Sequence, residues 1–270
     1  MSKEPLSIPF DFPGSTLTGK VVLVAGGSGG LGSATAFLLA REGAKLVIGY
    51  RSNRSRAEAL QKNLAQFQTT VELVEGDLNE PDAVERYVRR ASALGPLAGL
   101  AVFAGDAARA NPAPAPASNR EESKRFLDSW RTNFLGPYQL ARRAAQQMIA
   151  DGTGGSIVLL ASMQALAPFE NSVAYAAPKA ALVQATRVLA YEFGGTHNVC
   201  INVVAPGVTT AGMAESSVAD GKYERFVREG IVPRYGRAED VARAVRFLLE
   251  PDSYITGQVL TVDGGLTLRR

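Results

Sequence analysis

The stretch Val21-Val-Leu-Val-Ala-Gly-Gly-Ser-Gly-Gly-Leu-Gly32 decides the fold. An apolar run enters a turn crowded with glycine, and an Ala/Leu-rich helical pattern follows at once. A strand that is apolar along its whole length belongs in a parallel sheet covered on both faces. A turn without side chains lets backbone N–H groups approach a pyrophosphate, and the N-terminus of the next helix adds a favourable dipole. Two glycine spacings fit the string: GxGxxG through Gly27, Gly29 and Gly32, and GxxxGxG through Gly26, Gly30 and Gly32. The sequence does not choose between them. A tight turn with no ligand is the plainer alternative, and the strand before and helix after weigh against it.

Outward from this point the same rhythm repeats. Val/Ile/Leu-rich runs at 20–26, 44–50, 70–75, 97–103, 156–161, 199–205 and 258–262 predict about seven strands. Helical patterns at 31–41, 54–66, 81–93, 120–150, 173–193 and 238–249 supply the crossovers. Alternating strand and helix predicts one doubly wound α/β domain, with parallel strands and helices on both faces. Two segments break the rhythm: the Ala/Pro loop 107–118, too rich in proline for a helix interior, and an insertion-like region at 209–237. Both follow strand C-termini, where open α/β sheets bind ligands.

Composition narrows the classes further. The chain has 270 residues, 46% of them hydrophobic, with 27 Gly and 14 Pro in no short period, which excludes collagen-like and disordered readings. A net charge of +3 comes from basic residues dispersed among acids, so no nucleic-acid or acidic-lipid surface is expected. The single cysteine, Cys200, forms no intrachain disulfide. Residues 1–17 form an N-terminal extension without the apolar run of a signal peptide, and no spanning helix is seen, so a soluble, cytoplasmic protein is expected. The lone histidine, His197, has no partners at zinc-ligand spacing, so no metal is expected.

A dinucleotide site of the NAD type usually carries an acid about 20 residues past the glycines, accepting from the adenosine ribose. Here the second strand ends Tyr50-Arg51-Ser52-Asn53-Arg54. No acid stands there to repel a ribose 2′-phosphate, and Arg51 offers one a charge-assisted contact. NADP(H) is therefore expected over NAD(H). The plainer alternative has Arg51 merely capping a solvated loop.

Tyr175-Ala-Ala-Pro-Lys179 places a phenol and an ammonium four residues apart, on one face if helical. A cation ~4 Å from a phenol at an effective dielectric of ~20 favours phenolate by up to roughly 4 kcal/mol, or ~3 pKa units. Such a phenol is a competent general acid or base for a ketone and alcohol pair. Ser162, just past the fifth strand, is placed to bind the substrate oxygen. Pro178 is tolerable if it falls in the first helical turn.

With these residues assembled, the chain resembles the short-chain dehydrogenase/reductase family over residues 18–266. The resemblance rests on Gly26, Gly30 and Gly32, on Asp77, on Ala104-Gly105, on Asn133, Ser162, Tyr175 and Lys179, on Pro206-Gly207, and on Gly257-Gln-Val-Leu-Thr-Val-Asp-Gly-Gly265. It implies a single Rossmann domain spanning 18–270, with a substrate loop at about 208–237. It also implies that Tyr175 transfers the proton, that Lys179 tunes it and holds the nicotinamide ribose, and that Ser162 orients the carbonyl. Asn133 would anchor a water that links Lys179 to solvent. Cofactor contacts would come from Gly26, Ser28, Gly30, Leu31, Gly32, Arg51, Ser52, Asp77, Leu78, Ala104, Gly105, Pro206, Gly207 and Val208, with Tyr175 and Lys179. A homodimer or homotetramer is implied as well, as is a small-molecule ketone or alcohol, with 3-oxoacyl thioesters among the substrates.

Three departures from the family pattern stand out: Ala25 for the usual Thr, and Val102-Phe103 for two asparagines. They remove bracing hydrogen bonds and leave the catalytic positions intact. The rival function is a catalytically idle dinucleotide sensor of the same fold, which the complete Asn/Ser/Tyr/Lys set opposes. A sugar-nucleotide epimerase would want a larger C-terminal domain.

Overall fold

In the computed structural model, which describes residues 17–107, 119–251 and 253–269, seven parallel strands form one sheet in the order β3-β2-β1-β4-β5-β6-β7. They are β1 (Val21–Ala25), β2 (Lys45–Tyr50), β3 (Val71–Glu75), β4 (Leu97–Val102), β5 (Gly155–Leu160), β6 (Val199–Pro206) and β7 (Val259–Val262). The strand order reverses between β1 and β4, which opens a crevice beyond their carboxyl ends. The sequence of β1 explains its central place. Val21, Leu23 and Ala25 pack into the core on one face of the sheet, whereas Val22 and Val24 pack into the core on the other. A polar residue in either set would be stranded in one of the two cores.

The first face is covered by α3 (Pro81–Ser92), α5 (Gly136–Ala150) and α6 (Val173–Phe193), through residues such as Val88, Leu140 and Leu189. The second is covered by α1 (Gly30–Arg41), α2 (Arg54–Leu64) and α9 (Ala238–Leu248), through Leu39, Leu64 and Val245. Arg246 on α9 pairs with both Glu42, just past α1, and Glu250, tying the two helices at their C-terminal ends. No helix among the described residues is long and apolar enough to cross a membrane. The N-terminal extension lies outside the described residues except for Leu17, which is buried in the second core. Past Ala107, so does the Ala/Pro loop.

One predicted element is corrected, and another gains detail. The single helix expected over 120–150 is α4 (Asn119–Trp130) and α5, separated by one π-type turn, Arg131–Leu135. Pro137 has no N–H to return to the Asn133 carbonyl four residues back, so an ordinary α-turn cannot close there and the helix widens. The insertion-like region 209–237 is partly helical, with α7 (Glu215–Ala219) and α8 (Glu224–Arg228). It folds over a small apolar cluster of Met163, Val208, Phe226, Val232 and Leu266. The C-terminal turn α10 (Leu266–Arg269) closes that cluster from below.

Candidate active site

Beyond the strand ends lies one cleft of about 1900 Å³, roomier than the few hundred to about 1,000 Å³ of an ordinary small-molecule pocket. Every site residue expected from sequence lines it except Asn133, which is fully buried behind Gly105.

The glycine turn shows which spacing matters. Gly26 has φ +74°, a left-handed conformation, and a Cβ there would sit 2.9 Å from the Ala104 nitrogen. A Cβ on Gly32 would collide with the Gly26 carbonyl, and one on Gly30 would come within 2.6 Å of the Gly212 nitrogen. Gly29 is far less constrained, its nearest contact being 3.2 Å away. A Cβ on Gly27 would also come within 2.8 Å of the Val24 carbonyl, and Gly32 is common to both spacings. It is the tight fit at Gly30 against the looser one at Gly29 that favours GxxxGxG through Gly26, Gly30 and Gly32. No side chain caps α1 and no acid stands in its first turn. The first helical bond runs from Ser33 N–H to Gly29 C=O, so the N–H groups of Gly30, Leu31 and Gly32 have no acceptor inside the helix. That donor set, at the positive end of a helix dipole and open to the cleft, fits a diphosphate.

At the far end of the cleft Arg51 and Ser52 are exposed, and no ion pair engages Arg51 among the described residues. The nearest strand-end acid, Glu75, accepts the Tyr50 hydroxyl at 3.1 Å. Asp77 and Leu78 follow β3; the Asp77 carboxylate accepts the Asn79 N–H at 3.0 Å, and Leu78 is buried against Gly136.

Around β4, β5 and α6 the polar residues converge. Ser162 starts a short 3-10 turn and accepts the Gln164 N–H at 3.2 Å. It stands close enough to the phenol of Tyr175, in the first turn of α6, to favour the ionised form of that phenol. One turn further along, Lys179 is 2% exposed and donates to the Leu160 carbonyl at 2.8 Å. Asn133 accepts the Asp106 N–H at 3.0 Å and donates to Ser129 Oγ at 3.0 Å. A Cβ on Gly105 would lie 3.0 Å from Asn133 Oδ1 and 3.3 Å from Lys179 Nζ, so this glycine keeps open the space that both side chains share.

The electrostatics correct one expectation. Four-residue spacing predicts the lysine ammonium ~4 Å from the phenol and a depressed phenol pKa. Nζ stands 6.0 Å from the Tyr175 ring centroid and donates to the Leu160 carbonyl, and the phenol is not depressed. Burial pushes the phenol up to about 12, against the opposing pull of Ser162. Burial also brings the Lys179 ammonium down to about 8. Desolvation outweighs attraction at this distance.

Ser129 is a residue the sequence reading missed. Pro178 lies six residues into α6, beyond the first turn, and so leaves the Ala174 carbonyl without its helical donor. The buried Ser129 hydroxyl donates to that carbonyl at 2.5 Å while accepting from Asn133. It thereby ties the π-turn to the helix that carries Tyr175. The readable signal was Pro178 itself, since an interior proline frees a carbonyl that must find a donor elsewhere. Met213 and Tyr223, from the region after β6, also line the cleft. His197 is exposed in a 3-10 turn and away from it. Trp130, Phe134 and Tyr138 form a ladder of rings with centroids 5.2 and 5.7 Å apart, and Phe134 and Tyr138 pack against the core.

Comparison with known proteins agrees with this geometry. A family model described as enoyl-(acyl carrier protein) reductase matches residues 25–267. A short-chain type dehydrogenase/reductase of Picea abies is 33% identical over 257 residues, covering 92% of this chain and 93% of the relative. The chain belongs to the short-chain dehydrogenase/reductase family. A 3-oxoacyl-[acyl-carrier-protein] reductase of Aggregatibacter actinomycetemcomitans is 30% identical over 249 residues, covering 92% of this chain and 99% of the relative. Among solved structures, levodione reductase superposes with a TM-score of 0.83 at 31% identity, covering 93% of this chain and 98% of the other. The protein is thus an oxidoreductase of a family that works with nicotinamide dinucleotides on small molecules.

Proposed function

We propose that this short-chain dehydrogenase/reductase interconverts a ketone and a secondary alcohol with NADP(H). The observation that carries the reading is that Ser162 and Tyr175, close enough to act on each other electrostatically, line the same cleft that the uncapped end of α1 faces. Two hydroxyls converging on one point suit a carbonyl oxygen: Ser162 holds it and Tyr175 delivers its phenol proton. Bound nicotinamide supplies or accepts the hydride. Lys179 holds the nicotinamide ribose, and Asn133 lies on the path by which the proton is replaced from solvent. The backbone N–H groups of Gly30, Leu31 and Gly32 hold the diphosphate, with Ser28 beside them. Asp77 and Leu78 border the adenine, and Ala104, Gly105, Pro206, Gly207 and Val208 line the rest of the cofactor's course.

The NADP(H) assignment rests on Arg51, which faces the cleft without a competing carboxylate partner among the described residues. A charge-assisted contact to the 2′-phosphate is worth about 1.5–3 kcal/mol, so kcat/KM should favour NADPH over NADH by roughly 10- to 100-fold. Arg51→Asp should invert the ratio. A wild-type preference for NADH would refute the assignment. Similarity to the 3-oxoacyl reductase makes 3-oxoacyl thioesters the first ketones to assay, and an enoyl thioester beside them separates C=O from C=C reduction. Cofactor oxidation with any ketone excludes the idle-sensor reading.

The same proposal includes a homodimer or homotetramer. Leu127 and Trp130 on α4, and Val188 and Tyr191 on α6, are exposed apolar side chains that a second subunit would cover. Light scattering should return twice or four times the 28.6 kDa chain mass, and a monomer would count against it.

A further inference from the structure

We infer that the substrate carries an oxyanion, a carboxylate or phosphate, which pairs with Arg125 at the outer end of the cleft. This rests on the carbonyl chemistry proposed above. Arg125 lies on α4 and lines the cleft that holds Tyr175 and Ser162. Its side chain is half-buried, and its Nε is fully buried with no hydrogen-bond partner. Among the described residues no ion pair engages its guanidinium. A desolvated guanidinium N–H without an acceptor is costly, and the residue that carries it lines the space a substrate would fill.

The remaining charges lining the cleft nearby do not explain it. Lys222 and Arg225 are offset by Glu170 and Asp220, and all four are exposed, so the entrance does not select anions by its overall field. Glu122, one turn before Arg125, is also exposed and makes no ion pair with it. Lys222 and Arg225 instead lie over the rings of Tyr223 and Phe226. Arg125 is the lining cation with a buried donor left unanswered.

Position along the helix sets the length of the substrate. Arg125, Ser129 and Asn133 follow one another at four-residue steps, and Ser129 already touches α6 at Ala174, next to Tyr175. Eight residues at about 1.5 Å each put Arg125 roughly 12 Å from Asn133 along the axis, and its side chain reaches back part of that way. The oxyanion should therefore sit several bonds beyond the reacting carbonyl, as in a medium-chain oxo acid.

The test compares 8-oxononanoate, its methyl ester and a phosphate monoester of the same length with wild type, Arg125→Met and Arg125→Lys. Wild type should favour the acid over the ester by about 10- to 100-fold in kcat/KM, carried by KM. In Arg125→Met the acid-to-ester ratio should fall to within about 3-fold of unity. Lysine should keep part of it as a point charge. Comparison of acid with phosphate identifies which oxyanion the site takes. Independently of turnover, 8-oxononanoate and not its ester should raise the melting temperature of the cofactor-free protein, and Arg125→Met should abolish that shift. Equal use of acid and ester by wild type, or a ratio that survives Arg125→Met, overturns the inference. Ketone reduction without acid preference would leave the reductase reading standing and remove the oxyanion site. A melting shift without reduction of any ketone would do the reverse. If Arg125→Met melts well below wild type, the Lys variant carries the comparison.

Discussion

Replacing Tyr175 with Phe should lower kcat for ketone reduction by about 10³- to 10⁴-fold while NADPH affinity stays within a few fold. The substitution removes one hydroxyl and keeps the ring, so the packing of α6 is preserved and the proton donor is lost. Kinetics beside a fluorescence titration of the cofactor separate the two effects. A variant that keeps more than a tenth of wild-type turnover would assign proton transfer to another group. The titration of the phenol sharpens the expectation. Burial pushes it up to about 12, so it remains protonated across the neutral range. Reduction draws on the phenol and should vary little with pH through this range. Alcohol oxidation draws on the phenolate and should rise with pH, approaching tenfold per unit below the pKa. Difference ultraviolet titration of cofactor-free wild type against Tyr175→Phe should show the extra phenol ionising above its usual value near 10, and an ionisation near neutrality would contradict the structure.

Replacing Lys179 with Met should have two opposite effects: loss of at least about 10²-fold in kcat/KM, and a more stable cofactor-free protein. The ammonium is 2% exposed, and among the described residues its hydrogen-bond acceptor is the Leu160 carbonyl. Burial brings its pKa from 10.5 to about 8, which corresponds to a penalty on the order of 3 kcal/mol for keeping it charged at neutral pH. Methionine has a similar volume and no charge to desolvate, though it leaves the Leu160 carbonyl without its donor, costing about 1 kcal/mol. The net gain of about 2 kcal/mol should raise Tm by roughly 3–6 °C at pH 7. The sign follows from linkage. Between about pH 8 and 10.5 the unfolded lysine holds a proton that the folded one has lost, so wild-type stability rises with pH there. The advantage of the Met variant should therefore shrink above pH 8. Calorimetry at pH 7 and pH 10 tests both statements, and a variant less stable at pH 7 would show that the buried ammonium is satisfied by partners beyond Leu160. On the proposed reading, the stability given up at Lys179 is the cost of holding a cation beside the cofactor.

Much of this molecule was legible without coordinates because its signals are local. Apolar runs such as 21–25 can only be central strands, and the glycine turn can only follow one. Tyr175 and Lys179 share a helix face by spacing alone. What was not legible depended on groups brought together from distant parts of the chain. The choice between two glycine spacings came from Gly212 lying over Gly30 while Gly29 has more room. The π-turn was foreshadowed by Pro137, but its use, placing Asn133 behind Gly105, depends on β4 arriving there. The direction of the Tyr175 shift was misjudged because spacing gives a distance along a helix and says nothing of the solvent removed around it.

Sequence alone determined the order of strands and helices, the residue types at the cofactor turn, and the presence of a phenol, an amine and a hydroxyl at their positions. Periodicity and backbone conformational preference act over a few residues, so a chain displays them directly. The tertiary structure decided which of those groups are dry, which share a hydrogen bond, and which stand unpaired. Burial, and the pKa values and orphaned donors that follow from it, exists only once segments a hundred residues apart exclude water from the same place.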